Sequence, residues 1–233
     1  MLFVGELLMN KYIIVQVIVE GQTEEKFIKQ ILQPYLSLKN IFITPTIASK
    51  KGQKGGDVRF QRIKNDIEIF LKQPQVDVVS TFVDYYGIKE WPGLKDTFKN
   101  LTPLEIAETM NTATKEKICQ EFDNLNPAQR FIPFIVVHEF ETLLFSNSKI
   151  LAEELAIEQE KVDEVINSFP TIEHINNSRE TAPSKRLIAW CPHYGKTTTG
   201  ITIAQKITID KMREKSPLFN KWLSALEEKL ESK

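Results

Sequence analysis

The chain has 233 residues, 42% of them hydrophobic and 26% charged, and 30 Lys+Arg against 31 Asp+Glu leave a formal net charge of -1. This composition excludes disorder as the main state and a histone-like coat for nucleic acid, while leaving room for a local basic groove. No apolar run approaches the roughly 18 residues of a membrane span, and a chain of this length buries roughly 70% of its unfolded surface without help from metal or disulfide.

The N-terminal MLFVGELLMNK lacks a basic leader and a cleavage site, so secretion is not expected and a cytoplasmic setting is; Met9 is an alternative start. YIIVQVIV (12–19) is almost continuously apolar and β-branched, as in a strand buried on both faces of a parallel sheet. It stops at Glu20-Gly21. Thr23 is placed to cap a helix with Glu24 and Glu25 in its first turn and Phe27, Ile28, Ile31, Leu32 and Tyr35 inward. IFITPTI (41–47) reads as a second strand, near an edge because of Pro45. A Gly-rich basic loop follows, with Lys50, Lys51, Lys54 and Arg59, and then a helix with Ile63 and Ile67 inward. VDVVSTFV (76–83) is a third strand, stopping at Asp84, Tyr85 and Tyr86. After a loop over 88–104 and a helix to about 122, FIPFIVV (131–137) is a fourth strand ending at His138-Glu139-Phe140-Glu141. The remainder reads as helices: one over 148–166 with an acidic face, one from Ser184, one over 199–214 and one over 217–230.

The expected fold is therefore α/β, a small mainly parallel sheet flanked by helices over 1–147 with a helical C-terminal part over 148–233 packed on it. Three predicted strands end in carboxylates, Glu20, Asp84 and Glu139. Ligands of open parallel sheets bind outside the carboxyl ends of the strands. Carboxylates gathered there repel one another, and Mg²⁺ or Mn²⁺ relieves that repulsion while equipping the site for phosphodiester cleavage. The plainer reading is that each acid is a helix cap or a solvated turn.

These residues carry a resemblance. VEGQTEEKF (19–27) is similar to the first motif of TOPRIM-type domains, and FVDYYG (82–87) sits where such domains place an acidic strand end. With HEFETLLFS (138–146), INNSRETAPSKRL (175–187) and YGKTTTG (194–200), the chain resembles the family called domain of unknown function 4276 along nearly its whole length. The resemblance implies a metal-dependent phosphoryl-transfer scaffold and an association with phage defence. TOPRIM strand ends carry two Asp separated by one residue. Here the second place is Tyr86, so the missing ligand is sought at Glu139 or Glu141, or at Glu24.

The expected function is a Mg²⁺-dependent nuclease-like enzyme. Glu20, Asp84 and Glu139 hold metal, Glu141 and Glu24 are reserve acidic groups of the catalytic set, and His138 moves protons. Lys185, Arg186 and Lys196 are the expected phosphate contacts. GKT does not end a P-loop, because Trp190 stands where the motif's first Gly belongs. Lys50, Lys51, Lys54, Arg59 and Tyr86 are the candidate nucleic-acid surface. The alternatives are a non-catalytic nucleic-acid or nucleotide-binding module, and a subunit active only with a partner ATPase or restriction-type protein.

Overall fold

The structure, a computed structural model, describes residues 11–48, 59–98, 100–175 and 180–233. The basic positions Lys50, Lys51 and Lys54, and Met9, lie outside the described residues.

Four apolar segments build one sheet. Strands β1 (Ile13–Val19), β2 (Ile41–Ile47), β3 (Val78–Asp84) and β4 (Phe131–Ile132) lie in the order β2-β1-β3-β4, and β5 (Ile135–Val136) also pairs with β3. Every pairing is parallel, with Val19 level with Phe82 and Asp84 level with Val136. The carboxyl ends of β1, β3 and β5 therefore leave the sheet on one side. From β1 the order runs outward to β2 on one flank and to β3 on the other, which makes the β1/β3 crevice the switch point where such sheets bind ligands. The Pro45 strand β2 is at the edge, as its proline implied.

The fourth strand is interrupted. Pro133 has no N–H to give the ladder, and hydroxyls of β3 take over. Ser80 Oγ donates to the Ile132 carbonyl at 2.6 Å, and Thr81 Oγ1 accepts from Phe134 N at 2.9 Å.

Helices cover the sheet. The first runs through α1 (Gln22–Phe27), a wide turn (Ile28–Leu32) and α2 (Gln33–Ser37) without leaving helical backbone. Its cap differs from expectation. Gly21 is the N-cap, and the Glu24 carboxylate folds back to accept from Gly21 N at 2.9 Å, so Thr23 and Glu24 are both buried. Helix α3 (Phe60–Leu71) follows β2, α4 (Pro103–Glu121) follows a short 3₁₀ turn, and α5 (Pro127–Arg130) leads into β4. The 3₁₀ segment Phe140–Ser146 leaves the sheet after β5 and is buried throughout.

The acidic helix expected over 148–166 is two, α6 (Ser148–Leu155) and α7 (Gln159–Asn167), because Ala156 turns left-handed at φ 52°. Helix α8 is Pro183–Trp190. A wide turn at Lys196–Gly200 leads into α9 (Ile201–Ile207), and Thr208 at φ 74° separates it from α10 (Ile209–Lys215) where one helix was expected. The last helix, α11 (Pro217–Glu231), packs its buried face on the sheet. Trp222 stacks on Phe134 with centroids 4.7 Å apart and donates to Ser80 Oγ at 2.9 Å. Phe27, Phe82, Phe140 and Phe219 complete an aromatic cluster with them. Among the described residues no helix is long and apolar enough to cross a membrane.

Arg130 fixes the start of β3. Its guanidinium donates to the carbonyls of Leu71 (2.7 Å), Gln73 (3.0 Å) and Val76 (2.7 Å), which end α3 and enter the strand. Arg130→Met leaves those carbonyls without their donor, and we expect urea denaturation to show a loss of about 2–3 kcal/mol. A loss under roughly 0.5 kcal/mol, the scale of an ordinary surface change, would mean that water replaces the guanidinium freely.

Candidate functional site

Parallel pairing carries three chain segments to one place. Glu20 follows β1, Asp84 ends β3, and His138 to Glu141 follow β5 beside it, with Tyr85 N donating to Val136 O at 2.8 Å and Tyr86 N to His138 O at 2.7 Å. Asp84 Oδ1 accepts from Phe140 N at 3.0 Å and so directs the exit of the 139–141 segment. Glu24 arrives from the first turn of α1. The fifth acid, Glu141, is fully buried, and Glu139 is 3% exposed.

The cation of this group is Lys196. Its Nζ donates to Glu141 Oε2 at 3.0 Å and to Glu139 Oε2 at 3.3 Å, while its own side chain stays 43% open to solvent. Glu139 has a second partner, Ser184 N at the start of α8, at 2.7 Å. Buried Tyr194 points its hydroxyl at Glu141 Oε1 at 3.5 Å, the outer limit of a hydrogen bond.

Among the described residues Lys196 is the cation that acts on Asp84, Glu24 and Glu141, and burial shifts these acids. Burial holds the Asp84 carboxyl well above the usual range, and Glu24, Glu20 and Glu141 raise it further against the pull of Lys196. Burial raises Glu24 as well, opposed by its own backbone bonds and by Lys196. Glu141 is pushed up to about 7, first by burial and then by Glu139, with Lys196 opposing. Burial alone would lower Lys196, but Glu141, Glu139 and Asp84 outweigh that and raise it.

The expected site residues divide accordingly. Glu20, Glu24 and Glu141 all act on the charge of Asp84, and Lys196 acts on Asp84, Glu24 and Glu141. Glu139 faces the same cluster but is engaged by Ser184 and Lys196. Lys196 was expected on phosphate; it sits on carboxylates. His138 is buried, with its ring bonded to the Glu173 main chain, its Nδ1 without a partner and its pKa lowered to about 4 by burial, so it is neutral at neutral pH. Lys185 is exposed in the first turn of α8, whose N-terminus Glu139 caps, and Arg186 Nε turns back to the Thr181 carbonyl at 2.9 Å. Tyr86 is 38% exposed beyond Asp84, and Arg59 occupies the N-cap position of α3, the end of that helix on the side of the strands' carboxyl ends. Sequence reasoning missed Tyr194 and Ser184. Tyr194 begins YGKTTTG, a motif in which only the lysine was assigned a site role.

A divalent cation was expected here. Among the described residues no group of three or more His, Cys, Asp or Glu side chains stands ready to hold a metal ion, and Lys196 takes up Glu139 and Glu141. The donor chemistry nevertheless suits a hard cation. The donors are carboxylate oxygens, and burial raises the pKa of Asp84, Glu24 and Glu141, a cost that a bound cation would lower.

A family model described as "Domain of unknown function (DUF4276)" matches residues 19–227, and the chain belongs to that family. Neither curated proteins nor solved structures returned a match.

The protonation pattern has a consequence for stability. A carboxyl raised from 4.5 to about 7 on folding contributes most below pH 4.5 and loses that contribution as pH rises through about 7, a change of about 3 kcal/mol. His138, lowered from 6.5 to about 4, has the opposite sign, and its contribution fades as pH falls below 6.5. Comparing Glu141→Gln with wild type isolates the first effect. In urea titrations across this range, the difference should move in favour of glutamine by up to about 3 kcal/mol as pH rises. A pH-independent difference would show that Glu141 does not hold its proton.

Proposed function

We propose that this member of the DUF4276 family is a Mg²⁺- or Mn²⁺-dependent phosphodiesterase of nuclease type, with its site at the carboxyl ends of β1, β3 and β5. One observation carries the reading: Glu20 after β1, Glu141 after β5 and Glu24 in the first turn of α1 all act on the charge of buried Asp84 at the end of β3, and Lys196 opposes them. Structural acids rarely gather in this way at a sheet's switch point.

Glu20, Glu24, Asp84 and Glu141 would hold the cation. When bound, it supplies charge opposite the developing phosphate oxyanion and a water of lowered pKa. The chain's own contribution is positioning. Glu139, bonded to Ser184 N, sets the start of α8, where exposed Lys185 can meet a phosphate oxygen. Tyr86 offers an exposed ring on which a base can stack. His138 stays neutral and buried, and its place is to shape the 137–139 exit rather than to carry protons.

A second reading, recognition of nucleic acid or nucleotide without turnover, is favoured by Lys196, which already neutralises part of the cluster. Action in phage defence together with a partner ATPase is compatible with either reading.

The deciding experiment is calorimetric titration of Mg²⁺ and Mn²⁺ into wild type, Glu20→Gln and Asp84→Asn, with cleavage assays on DNA and RNA. The enzyme reading expects wild-type binding, weakened by each substitution beyond the roughly 10–100-fold that supporting residues command, with cleavage falling in parallel. Wild-type protein that binds no metal, yet holds nucleic acid with salt-sensitive affinity and no turnover, would establish the second reading instead.

A further inference from the structure

The C-terminal helices enclose a second cavity, of about 770 Å³, and no residue of the acid cluster lines it. The left-handed turn at Ala156 brings α7 back over the start of α6, where Gln159 Nε2 donates to Ser148 Oγ at 3.2 Å. The end of the buried 3₁₀ segment, the start of α6, one face of α7 and helix α10 then surround the space.

Three features of this wall suit an anion. Ser146 lines the cavity at 2% exposure, and its Oγ has no hydrogen-bond partner. A buried hydroxyl left unpaired is costly, so one that persists calls for a partner from outside the chain. Immediately after it, Asn147 caps α6 by accepting from Ile150 N at 3.2 Å, which leaves the Ser148 and Lys149 amides without an intrahelical acceptor. Lys149, Lys211 and Lys215 line the cavity against two carboxylates, Asp163 and Glu214, and both lysines of α10 share Glu214, at 2.7 and 3.2 Å.

Hydroxyl, backbone N–H and ammonium are the donors that a phosphate group accepts from. The cavity has the volume of pockets that hold whole small molecules, and Phe169, Pro170 and Ile172 give it an apolar wall. We propose that it binds a small phosphate monoester, with the phosphate at Ser146, Lys149 and the α10 lysines and the organic part against Phe169 and Pro170. This site needs neither a metal nor the carboxylates around Asp84.

The test is calorimetric titration, in buffer freed of divalent metal, of inorganic phosphate, ribose 5-phosphate and adenosine 5′-monophosphate into wild type, Ser146→Ala, Lys149→Met and Lys185→Met. Wild type should bind the two esters at least about threefold more tightly than inorganic phosphate, because only they reach the apolar wall. Tighter binding of the nucleotide than of the sugar phosphate supports a site that reads a base, and equal binding supports one that reads the sugar phosphate alone. Lys149 is exposed, so Lys149→Met keeps the fold and should weaken each ester about tenfold. Ser146→Ala carries two signs. Losing an unpaired buried hydroxyl should raise the melting temperature of the free protein, while ester affinity falls about fivefold. A hydroxyl of structural role only would move the melting temperature and leave affinity alone.

No saturable binding of any of the three up to about 10 mM would overturn the site. So would affinity that ignores both Ser146→Ala and Lys149→Met, and a loss confined to Lys185→Met would place the phosphate at α8 instead. Inorganic phosphate bound as tightly as the esters would overturn the assignment of a monoester.

Discussion

Like charges brought close together in a half-buried place must be compensated, and much of this structure answers that demand. Parallel pairing of β1, β3 and β5 gives their ends no choice of location. The acids that follow those strands share one crevice with Glu24 and with one ammonium. The compensations are then layered. The pKa values of Asp84 and Glu141 rise, backbone N–H groups of Gly21, Phe140 and Ser184 serve Glu24, Asp84 and Glu139, and Lys196 bridges Glu139 and Glu141. The donors sit at the cap of α1, in the 3₁₀ segment Phe140–Ser146, in α8 and in the turn before α9. These contacts, like the aromatic cluster, tie C-terminal elements to the sheet.

Much of this was legible in the sequence because it is local. Continuous β-branched runs ending in an acid announce buried parallel strands and their edge, and Glu20 and Asp84 follow from that pattern alone. What was hidden is of two kinds. Breaks such as Ala156 and Thr208 are left-handed turns taken by residues with no turn signature, so one helix was read where two exist. Partnerships across long separations left no periodic trace: Lys196 to Glu141 spans 55 positions, and Ser184 to Glu139 spans 45. For that reason Lys196, read as a phosphate contact on its charge, was found among carboxylates.

Glu24 illustrates an intermediate case. Its position in a first helical turn made it a reserve acidic group of the site, with Thr23 as the expected cap. The Gly21 cap folds it inward instead, because Gly21 has no side chain to accept the first amides and the carboxylate serves Gly21's own N–H. A single glycine therefore moves an acid from solvent to the site.

The prolines of the sheet bear on a different matter, its growth. Among the described residues β2 and the β4/β5 segment are the two borders, and each holds a proline, Pro45 and Pro133. A border strand with its full row of donors is a template on which another chain can add a strand, the usual first step toward aggregation. Here each border lacks a donor. On the Pro133 side the ladder is also broken, and α4 reaches over it, with Lys115 donating to the Phe131 carbonyl. Each border is thereby a poorer template for an added strand, which works against self-association through the flanks of the sheet.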